Sequence, residues 1–310
     1  MEKLPHFESE NEIEVQREEI ENGVWRPSIF KEFDNSLGVG ASTKELKRII
    51  KRSDAKIRIT GKKERFDEQF SKQDEETRKT KIGAGRILIN FLKRIAPEVD
   101  PHNIEKTAIE HGDKVIVIDE EHLKKDKKER AKTMADGMIT NLRGIPLMVA
   151  AADCAPIGIY DPENQAIGVF HSGWRGTLRQ IASKGIEKMA KSYGSRPEQL
   201  LVAVGPYAGG NEFEVDEKVY NEFHNALNED KSPVYTEDEI QSFFKKKEGH
   251  YFLDIGQAIK SSLIKAGIPR QNIQVSRYST MSEEGNQFFS SERIEGKEER
   301  DSFALMMVLR

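Results

Sequence analysis

Cysteine is almost absent from this sequence, with Cys154 the only one among 310 residues. A single thiol cannot form a disulfide within the chain, which fits a protein that works in a reducing compartment. It also excludes a structural zinc finger, because such sites need two to four thiolates. A lone cysteine is most often a small buried apolar residue, so a functional role for Cys154 has to be argued from its surroundings.

Long apolar runs are missing as well, and no stretch approaches the roughly 18 consecutive apolar residues of a membrane-spanning helix. The acidic N-terminal segment lacks the apolar core of a secretory signal peptide. Charge of one sign is not in excess either, since 49 basic and 53 acidic residues leave a net charge of −4. That balance indicates neither a nucleic-acid binder nor an acidic tail. We therefore expect a cytoplasmic protein with no membrane or nucleic-acid partner.

Histidine is scarce, with seven residues and no His-x-His pair, which argues against a multicopper oxidase with its many imidazole ligands. His111 stands beside a glycine at a predicted strand boundary, where a turn can bring a side chain into a cleft. His171 ends a predicted strand just before a glycine-rich segment. The other histidines lie in charged surroundings and are expected at the surface: His6, His102, His122, His224 and His250.

Short apolar strands alternate with amphipathic helices through the C-terminal two thirds of the chain, and helical spacing also covers Ile82–Ile95 before Pro97. This pattern predicts an α+β fold, with mixed α/β layers packed around one core. Residues 1–25 are acidic and aperiodic, so we expect a weakly ordered lead-in followed by one catalytic domain over residues 26–310. The highly charged segment Glu120–Arg130 is expected to form a loop or an exposed helix.

The stretch around Cys154 combines strand, turn and metal-ligand signals. Two apolar runs, Pro156–Tyr160 and Ala166–Phe170, flank residues 161–165, whose composition is typical of a tight turn. Paired as a β-hairpin, these runs place residue 161 opposite 166 and residue 156 opposite 171. Cys154 and His171 then lie at the same open end, within a residue or two of facing each other. A thiolate and an imidazole placed in this way suit zinc or copper.

The second strand of this hairpin leads directly into Gly173-Trp174-Arg175-Gly176 and a helix predicted over about Thr177–Lys191. A helix start exposes free backbone N–H groups, and Arg175 adds a cation. The sequence therefore predicts an anion beside the metal, held by Arg175, Gly176 and Thr177. A surface ion pair is the alternative for Arg175, and Trp174 is expected to pack rather than to stack on a base.

Four motifs together resemble the YfiH family, a group also described as laccase-domain or polyphenol oxidase-type proteins. The resemblance is best over residues 106–310, whereas the N-terminal region is divergent. It implies a YfiH-like single domain of mixed α/β structure, with a zinc-type site formed by His111, Cys154 and His171. The motifs are His111-Gly112-Asp113, Ala135-Asp136-Gly137, Ala152-Asp153-Cys154 and His171-Ser172-Gly173-Trp174-Arg175-Gly176.

The resemblance also implies an enzyme that acts on purine nucleosides and phosphate. The expected reactions are phosphorolysis of adenosine, inosine, guanosine and methylthioadenosine to the base and ribose 1-phosphate, and deamination of adenosine. We expect Arg175 to hold the phosphate during catalysis. Deamination needs a proton shuttle, and Asp153 is the candidate because of its position beside Cys154.

Two motifs depart from the family pattern. The chain reads Ile109-Glu110-His111-Gly112 where the family usually has Gln-Val-His-Gly. Near the C-terminus it reads Ser291-Glu292-Arg293 where the family has Tyr-Arg-Arg after Phe-x-Ser. If the family's arginines bind phosphate or substrate, Arg293 is expected to fill part of that role here.

Three functional hypotheses remain open from the sequence. The first is a zinc-dependent purine nucleoside enzyme, either a monomer or a homodimer. The second is copper-dependent oxidation of phenolic substrates, because Cu²⁺ binds nitrogen and sulfur ligands more tightly than Zn²⁺. The third is a diverged, non-catalytic protein in which zinc fastens strands together while the chain binds a partner.

Overall fold

The computed structural model of this chain describes residues 19–21, 24–27, 36–42, 88–228, 230–282, 288, 290 and 302–310. Arg293 and His6, which the sequence analysis singles out, lie outside these ranges. Within them, no helix is long enough and apolar enough to cross a membrane.

The described strands form three sheets. In chain order they are β1 (Glu19–Glu21), β2 (Val24–Arg26), β3 (Leu37–Ser42), β4 (Val115–Val117), β5 (Gly137–Thr140), β6 (Leu147–Ala151), β7 (Ala155–Asp161), β8 (Ala166–Ser172), β9 (Leu201–Val204), β10 (Glu214–Val215), β11 (Phe244–Lys247), β12 (His250–Leu253), β13 (Ile273–Val275) and β14 (Phe303–Leu309). The central sheet has the order β13-β9-β7-β8-β5-β4, the second sheet β1-β2-β3-β14-β6, and a small third sheet β10-β12-β11.

The helices connect and cover these sheets. The first, α1, is described over residues 88–95. Those that follow are α2 (Glu120–Lys124), α3 (Lys127–Arg130), α4 (Trp174–Leu178), α5 (Ile181–Tyr193), α6 (Glu217–His224), α7 (Glu237–Phe243) and α8 (Ile255–Lys265).

The β7–β8 hairpin forms the middle of the central sheet, and every residue of both strands is buried. Its register places Pro156 opposite His171 and Asp161 opposite Ala166, as the sequence predicts. Strands that are covered on both faces read as continuous apolar runs rather than as alternating ones. For that reason both strands can be recognised in the sequence.

Each face of the hairpin packs against a different layer. Ile157 and Phe170 belong to the core formed with helices α5 and α8. Tyr160 and Val169 belong to a second core, formed with strands β6 and β14 of the second sheet. The architecture is therefore sheet on sheet, with helices on the other side of the central sheet, which confirms the predicted mixed α/β class.

Helix α5 lies close to the central sheet because Gly185 faces the ring of Phe170. A Cβ atom at residue 185 would stand 2.4 Å from Cε1 of Phe170, so any side chain there would push the helix outward. This close packing also brings the segment between β8 and α5, which carries Arg175, against the end of the sheet.

The single helix predicted over about Thr177–Lys191 is wrong in one respect, because the structure divides it in two. Helix α4 begins earlier, at Trp174, and ends at Leu178, after which α5 begins at Ile181. Between them Gln180 adopts a left-handed conformation with φ of 59°. The break turns the chain so that α4 can pack at the sheet end while α5 runs along the face of the sheet.

Helix α1 covers the outer face of the second sheet. Phe91, Leu92 and Ile95 form a core with Met306 and Val308 of β14. The helix ends before Pro97, as the sequence predicts, because proline cannot continue the hydrogen-bond ladder.

The second sheet begins earlier than expected. Strands β1 and β2 pair antiparallel, with Glu19 opposite Arg26. The sheet thus starts inside the segment, residues 1–25, that the sequence analysis describes as a weakly ordered lead-in.

The charged segment Glu120–Arg130 forms the short helices α2 and α3, and a buried ion pair anchors it. The guanidinium of Arg130 donates to both carboxylate oxygens of Glu105, at 2.8 and 3.2 Å. The two side chains are only 10% and 3% exposed. Arg130 also donates to the backbone carbonyl of Leu123, at 2.9 Å, which ties α2 and α3 together.

His122 is buried, and the prediction that it lies at the surface is wrong. It sits on α2 beside Glu105, and it is 9% exposed. His102, His224 and His250 do have exposed side chains, as predicted. Burial lowers the pKa of His122, although the nearby Glu105 carboxylate opposes this effect. Folding therefore favours the neutral ring.

Replacing Arg130 with methionine should leave the Glu105 carboxylate buried without its cation. We expect the free energy of unfolding, measured by urea denaturation, to fall by about 3–5 kcal/mol. The pair Arg196–Glu163, with side chains 56% and 52% exposed, offers a matched control, since Arg196→Met should cost less than about 1 kcal/mol. Equal losses in the two variants would contradict the anchoring role of Arg130.

The neutral His122 also makes a prediction about pH. Because its pKa in the fold is lowered from the ordinary 6.5, the unfolded chain takes up this proton more readily than the folded chain. The contribution of His122 to the stability of the fold is therefore constant above about pH 6.5 and is lost progressively as the pH falls below that value. Between about pH 7 and pH 5.5, the Tm of His122→Gln should fall less than the Tm of the unsubstituted protein. Parallel Tm profiles would show that His122 is not responsible.

Candidate metal centre

Three side chains that could ligate a metal converge at one end of the central sheet: His111, Cys154 and His171. Their potential ligand atoms all lie within 4.8 Å of one another. We call them the His–Cys–His cluster. In the described part of the chain, no other group of three or more such side chains is close enough to hold an ion. The structure thus brings together the three residues that the family resemblance implies.

Each member of the cluster comes from a different element. Cys154 lies in the turn between β6 and β7, His171 lies on β8, and His111 lies in the loop before β4. Because Pro156 pairs with His171 and Ala155 pairs with Ser172, Cys154 is the next residue beyond the paired end of the hairpin. This is the placement that the hairpin register predicts.

The three side chains of the cluster differ in solvent exposure. His171 is 3% exposed, Cys154 is half-buried, and His111 is exposed. Two imidazoles and one thiolate with an accessible side are typical of catalytic zinc sites, in which three protein ligands leave one position open. The residues present therefore fit a single zinc ion, and the same donors also suit copper.

The pKa values of Cys154 and His171 reflect their mutual contact. Burial opposes ionisation of the Cys154 thiol, but hydrogen bonds with His111 and His171 outweigh it and lower its pKa to about 7. Burial likewise opposes protonation of His171, but its contacts with Asp136 and Cys154 raise the pKa of the ring to about 9. Without a metal, the thiol and thiolate forms of Cys154 are therefore both present near neutral pH, beside a protonated His171. A thiolate present near neutral pH is the form that a metal requires.

Two turns at the cluster have backbone conformations that are unfavourable for their residues. His111 has a φ of 58°, and Asp153, just before Cys154, has a φ of 79°. Non-glycine residues in this region cost about 1–3 kcal/mol and persist where surrounding contacts enforce them. Such strain is concentrated at functional sites, which supports a functional role for both turns.

Gly173 passes directly beside the cluster. A Cβ atom at this position would stand 2.9 Å from Sγ of Cys154 and 3.5 Å from Cδ2 of His111. The space that a side chain would occupy is therefore the space that the ligand atoms need. Gly173 has a φ of −76°, so the requirement for glycine comes from packing and not from the backbone.

A cavity of about 390 Å³ opens beside the cluster. On the cluster side it is lined by Asp153, Trp174 and Arg175, together with His111 and Cys154. The remaining lining includes Phe213, Glu214, Val215, Asp216, Val219 and Ile255. The cavity is large enough for a ligand of nucleoside size.

Arg175 is an exposed cation at the mouth of this cavity. Its guanidinium carbon lies 4.1 Å from the ring centroid of Trp174, while Trp174 packs against the core below. In the described part of the chain, Arg175 makes no salt bridge. The surface ion pair considered as an alternative is therefore not seen there, and Trp174 has the packing role predicted for it.

Asp153, the predicted proton shuttle, lines the cavity but is mostly buried. Its Oδ1 accepts a hydrogen bond of 2.6 Å from the hydroxyl of Thr280. Its backbone carbonyl accepts from the N–H of Ala208 at 2.8 Å. The turn before Cys154 is therefore fastened to two distant segments, a connection that sequence reasoning does not reveal.

Gly176 and Thr177, predicted to bind an anion, are both buried and make packing contacts. The N–H and the hydroxyl of Thr177 both donate to the carbonyl of Gly173, at 2.9 and 3.0 Å. A Cβ at Gly176 would stand 3.0 Å from the carbonyl oxygen of Gly112, so Gly176 allows α4 to approach the His111 loop. Neither residue lines the cavity, and of the described anion-binding candidates Arg175 alone does.

Several known proteins are similar in sequence to this chain. Residues 86–308 match the family model described as multi-copper polyphenol oxidoreductase laccase. A purine nucleoside phosphorylase of Bacteroides thetaiotaomicron is 28% identical over 59% of this chain and 66% of its own length. Adenosine deaminase RL5, from an unknown prokaryotic organism, is 32% identical over 59% of this chain and 67% of its own. Purine nucleoside phosphorylase YlmD of Bacillus subtilis is 32% identical over 52% and 55%, respectively.

These alignments span between about half and two thirds of the length of the curated relatives. Solved structures match over more of the chain. The YfiH protein of Bacillus licheniformis superposes with a TM-score of 0.68 at 23% identity, covering 94% of this chain and 97% of that one. YlmD of Geobacillus stearothermophilus superposes with a TM-score of 0.66 at 22% identity, covering 96% and 99%. At these identities the likeness shows a shared fold.

The substitution Gly173→Ala tests the cluster without straining the backbone. Its methyl group should displace the thiol of Cys154, and we expect zinc affinity, measured by competition with a chelator, to fall at least tenfold. The far-UV circular dichroism spectrum should stay unchanged. Gly194→Ala is the control, because residue 194 has a φ of 75° with no atom within 4 Å of a Cβ. This control should lower stability but leave zinc affinity intact, and the reverse pattern would refute the assignment.

Proposed function

The chain belongs to the YfiH family, described as multi-copper polyphenol oxidoreductase laccase, and from that premise we propose that it is a zinc-dependent purine nucleoside enzyme. The observation that carries the proposal is the His–Cys–His cluster, which opens into a cavity with an exposed arginine, Arg175, in its lining. Relatives named purine nucleoside phosphorylase and adenosine deaminase support purine nucleosides as the substrate class.

The metal proposed for this site is a single zinc ion held by His111, Cys154 and His171. When bound, zinc would act as a Lewis acid and lower the pKa of water toward about 7. The described residues contain one cluster of this kind, and the whole chain has only seven histidines. Both facts favour a mononuclear centre over the multicopper centre that the family description suggests.

Arg175 is proposed to bind phosphate for the phosphorolysis reaction. A guanidinium can donate two parallel hydrogen bonds to a phosphate group, and this one is held over Trp174 at the mouth of the cavity. Phosphate would attack the anomeric carbon of the ribose as the glycosidic bond to the base breaks, which yields the free base and ribose 1-phosphate. Arg293 is proposed as a second phosphate contact.

The rest of the cavity lining suits the nucleoside. Phe213, Val215 and Ile255 give the cavity apolar surface against which a purine base can pack. Glu214 also lines the cavity and can accept hydrogen bonds from ribose hydroxyl groups. The base and the sugar would then lie in the same cavity as Arg175 and the metal.

Asp153 is proposed to transfer the proton in the deamination reaction. Water adds to C6 of adenosine and ammonia leaves, so a proton has to reach the departing nitrogen. The hydroxyl of Thr280 donates to Oδ1 of Asp153 at 2.6 Å and would hold the carboxylate in one orientation at the cavity wall. Thr280 would therefore orient the proton-transferring carboxylate without contacting the substrate.

The decisive test is chromatography of products from adenosine, with and without phosphate, using protein of known zinc content. We expect adenine only when phosphate is present, and inosine independently of phosphate. Arg175→Ala should reduce phosphorolysis about 100-fold or more, because the phosphate loses its cation, while deamination falls much less. Arg179→Ala is the matched control, since Arg179 is exposed one turn later and does not line the cavity.

Two results would contradict the proposal. If zinc-loaded protein gives no product from adenosine, inosine or methylthioadenosine, the nucleoside assignment is wrong. If only copper-loaded protein is active, and its product is an oxidised phenol, the His–Cys–His cluster supports the polyphenol oxidation that the family description names. If Arg175→Ala and Arg179→Ala have equal rates of phosphorolysis, Arg175 does not bind phosphate, but the rest of the proposal stands.

A further inference from the structure

We propose that Asp136 is a positioning residue that holds both imidazole ligands of the metal centre through one buried carboxylate. The inference rests on the metal site proposed above and adds a residue outside the ligand set. Asp136 directly precedes β5 and is fully buried.

The carboxylate of Asp136 has four hydrogen-bonding neighbours. Oδ1 accepts from the backbone N–H of His111 at 3.0 Å and lies 3.0 Å from Nδ1 of His171. Oδ2 accepts from the backbone N–H of Gly112 at 2.9 Å and of Glu110 at 3.2 Å. One side chain therefore connects the loop of the exposed histidine with the ring of the buried histidine.

For His111, these bonds stabilise a conformation that the residue does not favour. His111 has a φ of 58°, and three consecutive N–H groups around it point to the same carboxylate. Such a concave arrangement of N–H groups binds an anion. Without the carboxylate these donors would lack an acceptor, and nothing comparable would keep the loop in its left-handed turn.

For His171, the contact decides which ring nitrogen faces the metal. Nδ1 is directed at Asp136, which leaves Nε2 as the nitrogen that can ligate. A backbone hydrogen bond between the two residues reinforces this contact, because the carbonyl of Asp136 accepts from the N–H of His171 at 2.7 Å. The two imidazole rings are thereby held edge to face, with centroids 4.9 Å apart.

Asparagine cannot reproduce this arrangement. When His171 ligates through Nε2, all four neighbours of the carboxylate are donors, so both of its oxygens must accept. A carboxamide has one oxygen and an NH₂ group that donates. In either orientation, the NH₂ group of Asp136→Asn would face two N–H donors and leave them without an acceptor.

The test compares Asp136→Asn with Asp161→Asn. Asp161 is also fully buried, and its carboxylate accepts from the N–H groups of Glu163 and Asn164, both at 3.0 Å. It lies at the far end of the same hairpin, away from the cluster. It therefore reports the general cost of replacing a buried, hydrogen-bonded carboxylate.

We expect Asp136→Asn to weaken zinc binding about 10- to 100-fold in competition with a chelator, whereas Asp161→Asn leaves the affinity unchanged. In the zinc-free protein, Asp136→Asn should also speed hydrogen exchange at the amides of residues 110–112. In the zinc-loaded protein, the ¹⁵N shifts of the His171 ring should change from those of a ring that ligates through Nε2 alone toward a mixture. A purely structural role would move none of these signals selectively.

Asp136→Glu keeps the charge and provides a variant that still folds if the asparagine variant does not. Its carboxylate is displaced by one methylene group, so zinc affinity should again fall. The proposal is overturned if either substitution at residue 136 binds zinc as tightly as the unsubstituted protein. If the unsubstituted protein itself binds no zinc, the proposed metal centre fails and this inference fails with it. Loss of zinc affinity in both variants at residue 136 but not in Asp161→Asn, with nucleoside turnover absent throughout, would support the inference and reject the proposed activity.

Discussion

The register of the β7–β8 hairpin is the constraint on which the rest of the structure depends. Both strands are buried on both faces, so a slip of one residue would exchange the side chains that face the helices for those that face the second sheet. Such a slip would bury Ile157 and Tyr160 in the wrong layers and would also separate Cys154 from His171. The packing of the core and the geometry of the metal centre are therefore fixed by the same set of contacts.

At the open end of this hairpin, the protein maintains a polar centre against an apolar interior. Two turns there adopt left-handed backbone conformations, at His111 and Asp153. Each is held by hydrogen bonds to distant segments, the first through the Asp136 carboxylate and the second through Thr280 and Ala208. Glycine at residue 173 leaves the volume that the ligand atoms need. The left-handed conformations of His111 and Asp153 cost stability locally, and hydrogen bonds to the surrounding segments compensate for that cost.

The cavity joins chemically different walls. The cluster offers groups that could ligate a metal and Arg175 offers a cation, while Phe213, Val215 and Ile255 supply apolar surface. The proposed substrates, a purine nucleoside and phosphate, would use this combination, since together they present a flat base, hydroxyl groups and an anion. Trp174 contributes indirectly, because its ring both packs on the core and supports the guanidinium of Arg175.

The sequence by itself determines the hairpin, the proximity of Cys154 to His171 at its open end and the α/β layering, because these follow from turn composition and from apolar runs of neighbouring residues. His111 is singled out in the sequence by its place beside a glycine at a strand boundary, but only the family resemblance links it to the hairpin. Only the tertiary structure decides the break between α4 and α5, the burial of His122 beside Glu105, the packing roles of Gly176 and Thr177, and the contacts of Asp136. Each of these depends on residues that are far apart in the chain and become neighbours only when the sheets and helices pack together.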